Sequence, residues 1–296
     1  MVVSARAAAR PREGSILAPV DSLTFTLVVC GASLVAGLFG ALTGLGGGGI
    51  LTPILVLALG VDIRYAIGAS LVAVIATSCG SAGAFLREGF VNVRVALLLE
   101  VATVLGAIGG AILAAHVPVG ALGGLFGVVM IWTAWHSRRT PEPTPGDTVP
   151  DPLADRLRLG STFPGPGGRR AYSVHRVPAG FGVMLGAGVL SALIGIGSGV
   201  FKVLAMDRLM RMPFKVSTTT SNFMIGVTAA ASVAVYLHRG QVHAGLAMPV
   251  AVGALAGSAL GARLLKRFNV ATLRIIFAVV LSIVGVQMIV RGVRAL

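Results

Sequence analysis

The chain has 296 residues, of which 55% are hydrophobic and only 11% charged, with a formal net charge of +14 and a mean hydropathy of +0.91. A soluble globule carries about a quarter charged residues, so an ordinary soluble domain is excluded. Nor is the positive charge a nucleic-acid footprint. Arg and Lys fall in the short connections and the central segment, the placement of a positive-inside bias, with no basic stripe interleaved with aromatics.

Residues 1–21 form a basic tail holding Arg6, Arg10 and Arg12. The apolar run from Leu23 is too long for a signal-peptide core and lacks a convincing cleavage site, so it reads as a retained first membrane helix. Nearly charge-free stretches follow at Leu23–Gly60, Tyr65–Leu86, Val95–His116, Val119–Trp135, Phe181–Ala205, Val216–Leu237, Ala244–Leu265 and Val270–Val290. About 20 such residues cross the ~30 Å hydrocarbon layer as a helix. Barrel strands are shorter and alternate in polarity. The fold class is therefore all-α, a polytopic helical membrane protein. Cys30 and Cys79 both lie inside apolar spans and imply no disulfide framework.

The chain matches itself at an offset of 151 residues. Gly37/Gly188, Gly44/Gly195, Gly46/Gly197 and Gly48/Gly199 are paired, then Ser70/Ser221, Thr77/Thr228, Ser81/Ser232, Gly89/Gly240, Gly106/Gly257 and Gly110/Gly261, without a gap. This points to internal duplication, with repeats at 22–136 and 179–296. The segment between them, 137–178, holds more than half of the prolines and no helical periodicity. It reads as a water-facing, partly disordered linker.

Each half is expected to contain about four spans, the first followed by a glycine break and a short apolar piece. In the first half that piece is Ile50–Gly60, about 17 Å long as a helix and too short to cross. A broken or re-entrant element is expected. Four crossings per half make the halves parallel; counting the short piece as a fifth inverts them. Basic residues divide between the two sides almost equally well either way, and the parallel version is the favoured reading.

The run Gly44–Gly49 matches a dinucleotide fingerprint in letters only, since a membrane helix precedes it and no acid follows at the right spacing. Its glycines, Gly44, Gly46, Gly47 and Gly48, and the matching Gly195 and Gly197, allow helix to break and expose backbone N–H groups to an anion; tight helix packing is the competing role. A polar patch follows each break. Ser70 stands in the first, and Ser217–Asn222, five hydroxyl residues and an amide, in the second. Ser221 and Asn222 are candidate ligands, with helix capping and inter-helix bonding as the alternative. Two charges lie at depth. Lys202 is a candidate for attracting an anion and Glu100 for proton coupling.

These residues resemble a known family. The pattern from Gly37 to Pro53, the stretch from Ala66 to Leu71 and the connection from Gly89 to Asn92 are similar to motifs of the TauE/SafE sulfite exporters. The resemblance spans about residues 25–135 and 180–292. It implies a permease for small sulfur-containing or organic anions, driven by an ion gradient, and points to Gly44, Gly46, Gly47, Gly48, Pro53, Ser70, Gly195, Gly197 and Ser221. The second half departs from the pattern with Ser198 for a glycine and Leu204 for the proline.

An intramembrane serine protease built on Ser198 and His243 is one alternative; a passive channel is another. Histidines are too few and badly spaced for a metal site, and no cofactor is expected. The expected partners are a small anion, the lipid bilayer and a coupling ion.

Overall fold

A computed structural model describes residues 22–43, 46–137, 151–165, 168–195 and 197–264, and within the C-terminal stretch 279, 282–283, 285–290 and 293. The tail 1–21, Gly44 and residues 138–150 lie outside the described residues.

Among the described residues ten α-helices and a hairpin follow in chain order. They are α1 (Ser22–Thr43), α2 (Gly48–Pro53), α3 (Ile63–Arg87), α4 (Val93–Ala114), α5 (Val119–Ser137), α6 (Pro152–Arg156), β1 (Ser161–Gly165), β2 (Gly168–Tyr172), α7 (Val177–Ile194), α8 (Gly199–Leu204), α9 (Phe214–His238) and α10 (Ala244–Leu264). Six of them (α1, α3, α4, α7, α9 and α10) are long and apolar enough to cross a membrane. Leu97, Val101, Leu105, Val227, Val252 and Leu255 are large, apolar and exposed, as lipid-facing positions require.

The structural landmarks recur at the 151-residue offset. Helices α2, α3 and α4 begin at Gly48, Ile63 and Val93; α8, α9 and α10 begin at Gly199, Phe214 and Ala244. The short helices run on into π-helical turns at Ile54–Ala58 and Ala205–Leu209. Backbone with positive φ recurs in the pairs Gly46/Gly197, Gly60/Arg211 and Gly89/Gly240.

The two halves interlock. Gly257 and Gly261 of α10 lie against Leu34 and Leu38 of α1, and Gly106 and Gly110 of α4 lie against Leu185 and Val189 of α7. These are the same contacts made twice, with the halves exchanged. Glycines spaced by four let the backbones approach where a Cβ would strike a carbonyl oxygen, the small-residue packing of membrane helices.

Registers give the directions. Contacts rise together along α1 and α10, along α4 and α7, and along α3 and α10, where Gly68 meets Gln241 and Gly80 meets Ser258. They also rise together along α4 and α9, where Thr228 bonds Glu100 and Arg239 bonds Ala111. Helices α1, α3 and α10 are thus parallel, and so are α4, α7 and α9. Residues 88–92 form only a short turn between α3 and α4, so these two run antiparallel, and α1 and α7 point in opposite senses. This corrects the parallel arrangement favoured from sequence. The residues between α1 and α3 complete a return to the side where α1 began, because the short helix joins its neighbours part-way along: Gly47 lies beside Ala36 and Thr77, and Thr52 reaches Ser70.

The linker also differs from expectation. Residues 151–176 fold as a cap in which Ala154, Leu159 and Val174 are buried with Phe90, Met210 and Met212. Asn92 is its anchor. The Asn92 amide nitrogen donates to the Leu159 carbonyl (2.9 Å) and to the Tyr172 hydroxyl (2.8 Å), and its backbone N–H donates to Thr220 Oγ1 (3.0 Å). Of the prolines and arginines that suggested disorder, Pro152, Arg156, Arg158, Pro164, Arg169, Arg170 and Arg176 are exposed on this cap.

Candidate functional site

The two glycine breaks meet in the core. Gly46 (φ +76°) lies against Val74 and Ile225, and Gly197 (φ +82°) lies against Val74. Val74 and Ile225 are themselves partners at the 151-residue offset. Gly48 touches the carbonyl oxygen of Gly195, which ends α7 in the left-handed conformation. Here glycine is required twice over, for the positive φ and for the close approach. Gly47 has ordinary helical angles, and its carbonyl accepts from the Ile50 and Leu51 N–H groups.

Ser70 and Ser221 occupy equivalent places and do equivalent work. Thr52 Oγ1 donates to Ser70 Oγ (2.7 Å), tying α2 to α3. Ser221 Oγ donates to the Gly199 carbonyl (3.2 Å), tying α8 to α9. Both serines are fully buried, so in this conformation their side chains hold the breaks in place.

Asn222 is different. It is fully buried, and neither its amide nitrogen nor its amide oxygen has a hydrogen-bond partner among the described residues. Its backbone carbonyl accepts from Ser78 Oγ (2.6 Å) across the α3–α9 crossing. Ser198, one residue before α8, is also buried with an unpartnered hydroxyl, and it holds φ +53°, a strained value for a non-glycine residue. Leaving a buried polar group unsatisfied costs about 1–3 kcal/mol. Ser198 at the second break and Asn222 on α9 together carry three such atoms among the described residues.

One turn beyond Ser198 stands Lys202, completely buried. Its Nζ donates to Thr228 Oγ1 (2.5 Å) on α9 and to Glu100 Oε2 (3.4 Å) on α4, while Thr228 Oγ1 donates to Glu100 Oε1 (2.5 Å). Thr103 Oγ1 lies 3.3 Å from the same threonine hydroxyl. The two charges singled out separately in the sequence are therefore partners. Thr228 and Thr103 were missed as site residues. The available signal was charge complementarity: one acid and one base at depth, each costly alone in a low-dielectric medium, favour each other.

The serine-protease arrangement is not formed. His243 packs its ring on Tyr65 at 4.8 Å between centroids, and no hydrogen bond reaches the Ser198 hydroxyl.

Comparison with known proteins decides the family. The description "Sulfite exporter TauE/SafE" matches residues 29–288. The chain belongs to that family. It is also 28% identical over 274 residues to the probable membrane transporter protein YunE of Bacillus subtilis (strain 168), an alignment covering 90% of this chain and 97% of that protein. No solved structure matches. Family membership and the six apolar spans make this TauE/SafE protein a multi-pass integral protein of the cell membrane, of a transporter family.

Proposed function

We propose that this TauE/SafE protein is a permease that carries a small anion, a sulfur oxyanion or an organosulfonate, through the junction of two inverted repeats, 22–136 and 179–296, joined by the segment 137–178. The observation that carries the reading is the second break, where a fully buried lysine lies one turn from Ser198 and beside the α9 helix that carries the unpartnered Asn222. A positive charge with neutral donors, walled from water and lipid by packed helices, is the chemistry that replaces an anion's hydration shell. The family's printed description supports the sulfur-anion class. The small-residue interfaces α1–α10 and α4–α7 support alternating access: they are equivalent, so each face can open by the same sliding that closes the other.

The basic residues orient the chain. Arg87, Arg94, Arg158, Arg169, Arg211 and Lys215 lie on the cap face, against Arg64 and Arg239 on the opposite face among the described residues. The cap is therefore assigned to the cytoplasm.

Purified protein in liposomes is expected to move radiolabelled sulfite or a sulfonate, with flux lost in Asn222→Leu and Gly46→Leu. Folded wild-type protein that moves neither probe overturns the reading.

A further inference from the structure

The Lys202–Glu100 pair has no counterpart in the other half. At the 151-residue offset Lys202 faces Leu51, Glu100 faces Ala251 and Thr103 faces Ala254; only Thr228 is matched, by Thr77. The architectural glycine contacts, by contrast, are made twice, α10 on α1 and α4 on α7.

The pair is also loosely made. Its N–O distance of 3.4 Å exceeds the roughly 2.7–2.9 Å of a strong charge-assisted bond. Thr228 stands between the two groups, bonded to both. Among the described residues no other charge competes for Glu100. Helix α7 has no titratable residue between Val177 and Ile194, and α8 has only Lys202. On α9 the titratable groups sit near the ends: Lys215 over the Phe90 ring, Tyr236 donating to the Ala192 carbonyl, and His238. Beyond α9, Arg239 bonds the Ala111 and Ile112 carbonyls.

We propose that the transported anion takes Glu100's place on the Lys202 ammonium and that Glu100 accepts one proton as it is displaced, so that each monovalent anion moves with one proton. The proposal rests on the anion-permease reading and extends it to the driving ion. The balance is closed. Before binding, the site holds one ammonium and one carboxylate; afterwards it holds the ammonium, the anion and a neutral carboxylic acid. Net charge is zero in both states, and neither leaves a lone charge buried, which would cost several kcal/mol. Thr228 then remains as the hydroxyl on which the protonated Glu100 rests. Uptake or export is set by the pH gradient, and a membrane potential alone does no work on the loaded site.

The test uses the full chain in proteoliposomes with methanesulfonate, a strong-acid anion that carries no proton of its own near neutral pH. A pH gradient with the potential clamped to zero is expected to drive uphill flux, and a potential without a pH gradient to drive none. Binding of methanesulfonate is expected to weaken about tenfold per pH unit above neutrality, the slope for one linked proton. In Glu100→Gln the competitor for Lys202 is gone, so binding at about pH 8 is expected to tighten at least about tenfold and to lose its pH slope. A structural ion pair predicts the reverse, weaker binding with lower thermal stability, and that result overturns the proposal, as does flux driven by potential alone. Should Glu100→Gln not fold, Thr228→Val keeps both charges and removes the bridge. It is expected to keep the one-proton slope with tighter binding above neutrality, and a flat profile overturns the exchange. Folded wild-type protein that transports neither methanesulfonate nor sulfite under any gradient refutes the permease reading itself, whereas flux indifferent to pH refutes only the proton link.

Discussion

The first and second glycine breaks share a backbone and differ in chemistry. Both have a positive-φ glycine against Val74, a six-residue helix, a π-helical turn and a serine tying the short helix to the long one. Yet the first carries Gly47, Leu51 and Leu71 where the second carries Ser198, Lys202 and Asn222. What has been kept is what lets the chain break and the halves interlock. What differs is the set of buried polar side chains at the break. The difference teaches that the backbone of the break recurs in both halves, while the buried charge pair, Lys202 with Glu100 of the other half, occurs at the second break alone among the described residues.

That comparison can be broken by attacking the shared part. In Gly48→Leu a Cβ would run into the Gly195 carbonyl and come within 2.9 Å of Val74 Cγ2, where no flexible group can yield. Loss of monodisperse folded protein is expected on size exclusion in detergent. Gly31→Leu, where nothing lies within 4 Å of the added Cβ, is expected to remain folded. Equal behaviour of the two would remove the packing argument.

Converting the second break toward the first sharpens the contrast. Asn222→Leu installs the residue of the first half and deletes two unsatisfied buried polar atoms. Thermal unfolding should show a gain of about 1–3 kcal/mol while anion flux falls. Stability and transport moving down together would mean that Asn222 is architectural.

The two serines should respond unequally. Ser70→Ala strands the buried Thr52 hydroxyl and is expected to cost about 1–3 kcal/mol. Ser221→Ala removes one inter-helix bond to a carbonyl and is expected to cost about 0.6 kcal/mol. Denaturant melts of both variants would decide this, and equal losses would count against the geometry.

The smallest effect lies in the cap. The Val177 N–H donates to the Asp151 carboxylate (2.9 Å) and holds its pKa below the ordinary aspartate range, with further help from the Leu153 N–H. A carboxylate with a depressed folded pKa contributes stability that is present above its unfolded value and lost as pH falls through the folded value. Acid should therefore loosen the cap only below about pH 4, and Asp151→Asn should flatten that dependence. Hydrogen exchange of the Val177 amide between about pH 3 and 6 would show it.

Much of the molecule was legible in the residues. Apolar runs of membrane-spanning length, the 151-residue offset and the helix-breaking glycines are local properties, so they gave the all-α membrane class, the element order and the position of each break. The cap was less legible, because Asn92, Phe163 and Tyr172 acquire their roles only when distant segments meet. Among the candidate site residues, Ser70 and Ser221 lie beside the breaks and hold them by internal bonds, while Asn222 keeps its polar atoms unpaired among the described residues.

What the sequence determined by itself was which segments enter the membrane and where each must break, since hydropathy and backbone freedom act over a few residues at a time. Only the tertiary structure decided that the halves run in opposite senses, that each first helix packs on the other half's fourth, and that Glu100 meets Lys202 across 102 positions of chain. Those facts depend on which surfaces face one another, and a buried charge finds its partner in space rather than along the chain.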